Sequence, residues 1–238
     1  MGPKQADYEK LAVDWHDDQK YGPTTRFRRK IVNKILDSIN FNSILEVGCG
    51  QPYLIVPLAN KRKFEYMGTD ISKNLIEDNK KEFPRLSFQV LDVEKEKLNE
   101  QYDIVMCSEV LEHIKNYNQA LVNISSMAKK YILITVPSSN IYPTDKSFGH
   151  LHHFEIDEIT KPLEDKGFKI VSAFKWGFPF FNLYKELINK NPDKMLEKFH
   201  DQKYSTTQKI IAYCVFLSFF FNVKNHKGKQ LVVFMERI

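Results

Sequence analysis

The sequence predicts an α/β fold, a mostly parallel sheet with helices on both faces. Three observations carry this. Between residues 40 and 137, short apolar runs alternate with helical stretches, as in parallel strands joined by crossover helices. The first run, Ile44-Leu45-Glu46-Val47, passes into Gly48-Cys49-Gly50-Gln51-Pro52, a strand that ends in a glycine turn before a helix start. Glu46, Asp70, Asp92 and Ser108 all fall at carboxyl ends of strands, where open α/β sheets bind ligands.

Residues 4 to 38 read as two helical pieces around Tyr21-Gly22-Pro23. In the second, from about Thr25 to Ile39, Phe27, Ile31, Ile35 and Leu36 form one face. Arg26, Arg28, Arg29 and Lys30 crowd its start, where positive charge opposes the helix dipole. Two readings stay open: solvated or paired arginines, or Arg28 or Arg29 reaching a carboxylate or phosphate. The strands that follow are 44–47, 64–70 ending in Asp70, 86–93 holding Asp92, 102 onward to Ser108, and 131–137 closed by Pro137. Helices are expected near 52–60, 72–83 and 116–129. Beyond them come a helix at 157–166 stopped by Gly167, a strand at 168–176 and a last strand at 229–237. The roughly fifty residues from Gly177 to Gly228 are too long for a structureless loop and read as a helical insertion with an apolar helix at 207–223. The expected division is an N-terminal helical lid (1–39), a core (40–176 plus 229–238) and a substrate lid (177–228).

The turn narrows the ligand. A dinucleotide site uses G-x-G-x-x-G, but Tyr53 stands at the third glycine. Glu46 just before the turn would repel a pyrophosphate and attract a cation. Asp70 lies about twenty residues past the glycines, the spacing of a carboxylate on ribose hydroxyls. The segment from Glu46 to Pro52 resembles motif I of the class I S-adenosylmethionine-dependent methyltransferases, E/D-x-G-x-G-x-G, with Pro52 in place of the third glycine. Tyr102-Asp103-Ile104-Val105 through Val110-Leu111-Glu112-His113 resembles the same superfamily's D-x-V-x-x-x-x-V-L-E-H segment.

The resemblance implies a Rossmann-like seven-stranded sheet in the order 3-2-1-4-5-7-6, its last strand antiparallel. It implies S-adenosylmethionine as cofactor and S-adenosylhomocysteine as product. Glu46, Gly48, Cys49, Gly50, Asp70, Ile71, Asp92, Val93, Ser108 and Glu109 would bind the cofactor, with Glu46 toward its cationic groups, Asp70 on the ribose hydroxyls and Asp92 at the adenine. Glu109-x-x-Glu112-His113 is similar to the Mg²⁺ site of ubiquinone-biosynthesis O-methyltransferases and small-RNA 2′-O-methyltransferases, so Glu109, Glu112 and His113 are candidate ligands of Mg²⁺; metal-free relatives carry the same Glu-His pair.

Candidate bases are His113 and the run Gly149-His150-Leu151-His152-His153, because histidine titrates near working pH. His150 and His152 would point one way in an extended loop. Tyr21, Arg28, Arg29, Trp176, Phe178, Phe181 and Tyr184 are candidate acceptor contacts; the aromatic ones also read as lid core. The expected function is methyl transfer to a small-molecule acceptor, first a hydroxyl of a sugar, phenol, polyketide or quinone-like ring. An amine or amino sugar, RNA or protein as acceptor, and a non-catalytic cofactor binder, are the alternatives.

The chain has 238 residues, 42% hydrophobic, enough for one sizeable core. A net charge of +5 without a basic stripe argues against nucleic acid. Three scattered cysteines exclude a disulfide framework. No signal peptide is read, and the run from Ile210 to Val223 is too short to span a bilayer. It reads first as a buried or lid helix and second as a membrane-surface contact; a cytoplasmic location is expected.

Overall fold

The computed structural model describes residues 16–192 and 203–238. Seven strands form one sheet: β1 (Ser43–Val47), β2 (Glu65–Asp70), β3 (Ser87–Val90), β4 (Tyr102–Ser108), β5 (Ala128–Pro137), β6 (Phe168–Trp176) and β7 (Gln230–Arg237). Their order is 3-2-1-4-5-7-6. β1 to β5 pair in parallel, and β7 runs antiparallel between β5 and β6. This is the expected topology. The order reverses between β1 and β4, the switch point where a crevice opens beyond the strand ends.

The central strands are buried on both faces, so their side chains alternate between two cores. Ile44, Ile104 and Met106 point into one core, Leu45, Val47, Val105 and Cys107 into the other. The second core is closed by α5 (Tyr117–Met127) through Leu121 and Ile124, and by α7 (Ile156–Glu164) through Ile159 and Leu163. The first is closed by α2 (Pro23–Asp37) through Val32 and Leu36, and by α4 (Lys73–Glu82) through Ile76. Phe27, Ile31 and Ile35 pack on it, as the helical spacing requires. The expected first piece of N-terminal helix lies outside the described residues except for α1 (His16–Tyr21).

Some expectations need correction. The helix expected over 52–60 shrinks to α3 (Val56–Ala59), so Pro52 lies in the preceding turns and opens no helix. Pro57 has no N–H for a helix that began earlier to use. One helix is new, α6 (Pro143–Ser147), and the insertion read as helical carries α8 (Phe180–Ile188) ahead of its apolar helix. The apolar helix ends early, with α9 (Thr206–Ser218) followed by one 3₁₀ turn at Phe219–Phe221. Ser205 caps α9 by accepting from the Gln208 N–H, and Gln208 returns the bond to the Ser205 N–H. α9 docks on α2. Phe219 is fully buried among the rings of Phe27, Trp176, Phe181 and Tyr184. Among the described residues no helix is long and apolar enough to cross a membrane.

Candidate active site

A cavity of about 710 Å³ opens at the carboxyl ends of β1, β2 and β4. One end of it is the glycine turn. Gly48 and Gly50 hold φ of 65° and 51°, a backbone region that side chains rarely adopt. A Cβ on Gly48 would also come within 2.2 Å of Val110. Asp70 pins the turn from the neighbouring strand, accepting from the Gly50 N–H and the Ser72 N–H, each at 3.0 Å. α1 covers the turn, where the Gln19 side-chain oxygen accepts from the Gln51 N–H at 3.1 Å. The 203–206 segment holds α1 in turn. The Tyr204 N–H donates to Asp17 at 2.7 Å and the Tyr204 hydroxyl meets Asp18 at 3.0 Å. Burial pushes the Asp18 carboxyl up.

Glu46 is only 2% exposed. Its carboxyl meets the Tyr66 hydroxyl at 2.6 Å. Gly68, the register partner of Glu46 on β2, makes room for that ring: a Cβ there would sit 2.8 Å from the Tyr66 oxygen. Burial raises the Glu46 pKa to about 8, partly offset by the tyrosine hydrogen bond and reinforced by Asp70. The group is therefore a mostly neutral carboxyl at neutral pH, beside a space able to take a cation. Tyr66 was not singled out from the sequence; the one signal was an alternating strand carrying both a tyrosine and a glycine opposite the acid.

All ten expected cofactor contacts line the cavity: Glu46, Gly48, Cys49 and Gly50 on the first turn, Asp70 and Ile71 after β2, Asp92 and Val93 after β3, Ser108 and Glu109 after β4. Asp92 also accepts from the Glu94 N–H at 3.2 Å and pairs with Lys95. Glu109 sits at φ 56°, an unusual conformation for a non-glycine residue and a mark of functional sites.

The opposite end is assembled from distant segments. Arg28 reaches from α2 to Glu109 at 2.8 Å, so the carboxylate that the crowded helix start suggested is internal. α8 supplies Phe181, Tyr184, Lys185 and Ile188. It is clasped to α6 by an ion pair of Lys185 with Asp145 and by Asn189, whose side-chain oxygen accepts from Thr144 N–H and hydroxyl at 3.1 and 3.0 Å. Sequence reading missed Asp145 and Lys185, because nothing local joins positions forty apart.

The histidines divide differently from expectation. His150 and His113 line the cavity, while His152 turns away, stacking on Tyr117 and meeting Glu158 at 2.8 Å. The loop is not extended: the Leu151 and His152 N–H groups both bond to the Glu112 carbonyl, and Gly149 turns at φ 83°. His150 therefore meets His153, at 3.0 Å from Nδ1 to Nε2. His153 itself does not line the cavity. Its Nδ1 donates to the Ser139 carbonyl at 3.2 Å. Burial lowers the pKa of His153, opposed by Asp145, whose carboxylate stands 3.6 Å from His153 Nε2; in the neutral ring, with Nδ1 donating to Ser139, Nε2 accepts. His150 Nδ1 must then donate, leaving Nε2 as the ring's basic nitrogen. Burial, then the neighbouring His113, His153, Lys185 and Arg28, lower His150 to about 2; burial first lowers His113 to about 4.

Four expected acceptor contacts lie elsewhere. Arg29 donates to the carbonyls of Tyr53 and Lys20. Tyr21 lies under Lys209. Trp176 is core, packed on Phe27 and Phe181. Phe178 bridges to Val223. Arg28, Phe181 and Tyr184 are on the wall.

Of the expected Mg²⁺ ligands, Glu112 and His113 come together and Glu109 does not. Glu109 is taken by Arg28. The donor atoms that lie within 4.8 Å of one another belong to Glu112, His113 and His150, with a second group of Asp145, His150 and His153. Glu112 is fully buried, with neither side-chain oxygen hydrogen-bonded, and burial raises its pKa well above the usual range, with Glu109 adding to the rise. One carboxylate and two imidazoles are a poor match for Mg²⁺, which prefers oxygen ligands.

This sheet order, with its glycine turn between an acid on β1 and an acid on β2, defines the class I methyltransferase architecture. The "Methyltransferase domain" family model matches residues 19–173, and the chain belongs to that family of the class I S-adenosylmethionine-dependent methyltransferases. It is 29% identical over 132 residues to a ubiquinone biosynthesis O-methyltransferase of Rickettsia typhi, covering 49% of this chain and 52% of that protein. The chain thus spans about half the length of that curated relative. Among solved structures, the N-methyltransferase NodS of Bradyrhizobium japonicum, in complex with S-adenosylhomocysteine, is similar over 97% of both chains, with TM-score 0.62 and 14% identity. The magnesium protoporphyrin IX methyltransferase of Synechocystis, with the same product bound, matches 91% of this chain and 86% of its own, with TM-score 0.56 and 16% identity.

Proposed function

We propose that this chain transfers a methyl group from S-adenosylmethionine to a hydroxyl of a small-molecule acceptor. The ten strand-end residues that line the cavity support the donor's place. Glu46 would face its ammonium and sulfonium, and Asp70, which also accepts from the backbone N–H groups of Gly50, Ile71 and Ser72, its ribose. The hydroxyl is supported by one observation: the Ser139–His153–His150 hydrogen-bond chain, which leaves an acceptor nitrogen on the wall at the far end. The relatives named as O-methyltransferases agree with it.

S-adenosylmethionine held by Glu46, Asp70 and Asp92 would supply the methyl, the S–CH₃ bond giving its electron pair to sulfur as an O–CH₃ bond formed on the acceptor. His150 Nε2 accepts the hydroxyl hydrogen bond and turns an oxygen lone pair toward the methyl. Alignment of this type supplies about 7–11 kcal/mol. His150 is a weak base, but it acts late. An oxygen that has received a methyl is a far stronger acid than imidazolium, so the proton passes to Nε2 as the new bond completes. Arg28 and Glu109 pair near His150 and fix that end of the cavity.

The test uses catechol, an uncharged dihydroxy ring, as probe, with labelled methyl donor. His150→Ala should cut turnover about 100-fold and leave S-adenosylhomocysteine affinity unchanged. Wild-type turnover should show no inflection near pH 6.5, because His150 is neutral there. Faster methylation of a simple amine, unaffected by His150→Ala, would refute the hydroxyl reading. Failure to bind S-adenosylhomocysteine by calorimetry would refute methyl transfer itself.

A further inference from the structure

The insertion between β6 and β7 presents apolar side chains to solvent. On α9, Ile210 is 59% exposed, and in the turn after it Phe221 is 71% exposed. Ile211, Leu217 and Phe220 lie exposed between them. α8 adds Phe180, Leu183 and Leu187, a stripe at helical spacing, with Leu183 55% exposed. The rings of Phe180 and Phe221 are 6.0 Å apart, so the two stretches meet. Single exposed apolar residues are ordinary, but a continuous patch marks an interaction surface.

Charge identifies the partner. From residue 203 to residue 235 the chain carries Lys203, Lys209, Lys224, Lys227 and Lys229 and not one Asp or Glu; Lys209 pairs with Asp17 and Lys229 with Glu186 of α8, and Lys203, Lys224 and Lys227 add to the positive charge. Cations also lie against the patch itself: Lys30 Nζ is 3.4 Å from the centre of the Phe220 ring, and Arg26 is 5.1 Å from that of Tyr213. Protein interfaces are depleted in lysine. Aromatic and aliphatic side chains rimmed by lysines are instead the composition of a surface that lies in an anionic bilayer interface.

We propose that the α8–α9 face docks on an anionic lipid bilayer. The inner side of α8, through Phe181, Tyr184 and Ile188, walls the cavity. Docking therefore holds the far end of the cavity beside the membrane, within reach of an acceptor that partitions into lipid.

Co-sedimentation with vesicles reads this without any methyl donor, so its result is independent of the proposed chemistry. Vesicles of equal phosphatidylglycerol and phosphatidylcholine should retain the wild-type protein at low salt, and phosphatidylcholine alone should not. Phe221→Asp with Ile211→Asp should reduce retention by about tenfold or more. Lys224→Glu with Lys227→Glu should reduce it by at least about fivefold per site. Melting temperature and S-adenosylhomocysteine affinity, read alongside, should stay at wild-type values in both variants. No retention on anionic vesicles, or equal retention on neutral ones, overturns the proposal. So does a wild-type dimer in analytical ultracentrifugation that Phe221→Asp converts to monomer, since the face would then belong to a second copy.

Discussion

Replacing Glu46 by Gln probes a proton that the folded protein holds tightly. Burial moves this carboxyl from 4.5 to about 8. If a cationic ligand requires the ionised form, each ligand bound near pH 6.5 must expel about one proton. Affinity for S-adenosylhomocysteine, whose ammonium is the cation, should then rise up to tenfold per pH unit, about 100-fold between about pH 5.5 and 7.5. Above that window the ligand's own ammonium titrates. Calorimetry in buffers of different ionisation enthalpy counts the protons. Glu46→Gln should weaken binding at about pH 7.5 and flatten the slope. A flat slope in the wild type, or an unchanged slope in the variant, would refute the reasoning.

The same shift has a stability consequence of definite sign. A carboxyl whose folded pKa is raised contributes stability that is full below its ordinary value and lost as pH climbs to the folded value. Here the window runs from 4.5 to about 8. At 1.36 kcal/mol per unit the loss approaches about 5 kcal/mol. Glu46→Gln, which keeps a neutral partner for Tyr66, should therefore raise the melting temperature relative to wild type more at about pH 8 than at pH 5.

Two further outcomes follow from the geometry. Asp70→Ala leaves the Gly50 and Ser72 N–H groups without their acceptor, so S-adenosylhomocysteine affinity by calorimetry should fall about tenfold or more; wild-type affinity would mean that the turn is held without it. Millimolar Mg²⁺ should leave the melting temperature unchanged, because Glu109 would first have to leave Arg28. A Mg²⁺ stabilisation that Glu109→Gln abolishes would restore Glu109 to the ligand set.

The sheet was legible because its information is local. Ile44 to Val47 alternates between two cores, and the strands that follow repeat that pattern at regular spacing. The cofactor end was legible for the same reason, since a strand end fixes where the next residue goes. Glu46, Asp70, Asp92 and Ser108 needed only the alternation to be placed on one edge. What the sequence concealed at that end was Tyr66, whose role depends on Gly68 leaving space across a strand pair.

The acceptor end was illegible for the opposite reason. Three histidines in four residues suggest a shared direction only if the loop is extended. One carbonyl, that of Glu112, takes two N–H groups from the loop and folds it instead, so positions 150 and 153 meet while 152 leaves. Arg28, Glu109, Asp145 and Lys185 pair across separations that no local spacing encodes. Such pairing also explains why Glu112 stays alone. The two cations on this wall are already engaged, by Glu109 and Asp145, so the third carboxyl is buried without a counter-charge and keeps its proton. A site of this build favours a neutral hydrogen-bonding acceptor over one that carries its own charge, because added charge of either sign would have to break a pair that the fold has made.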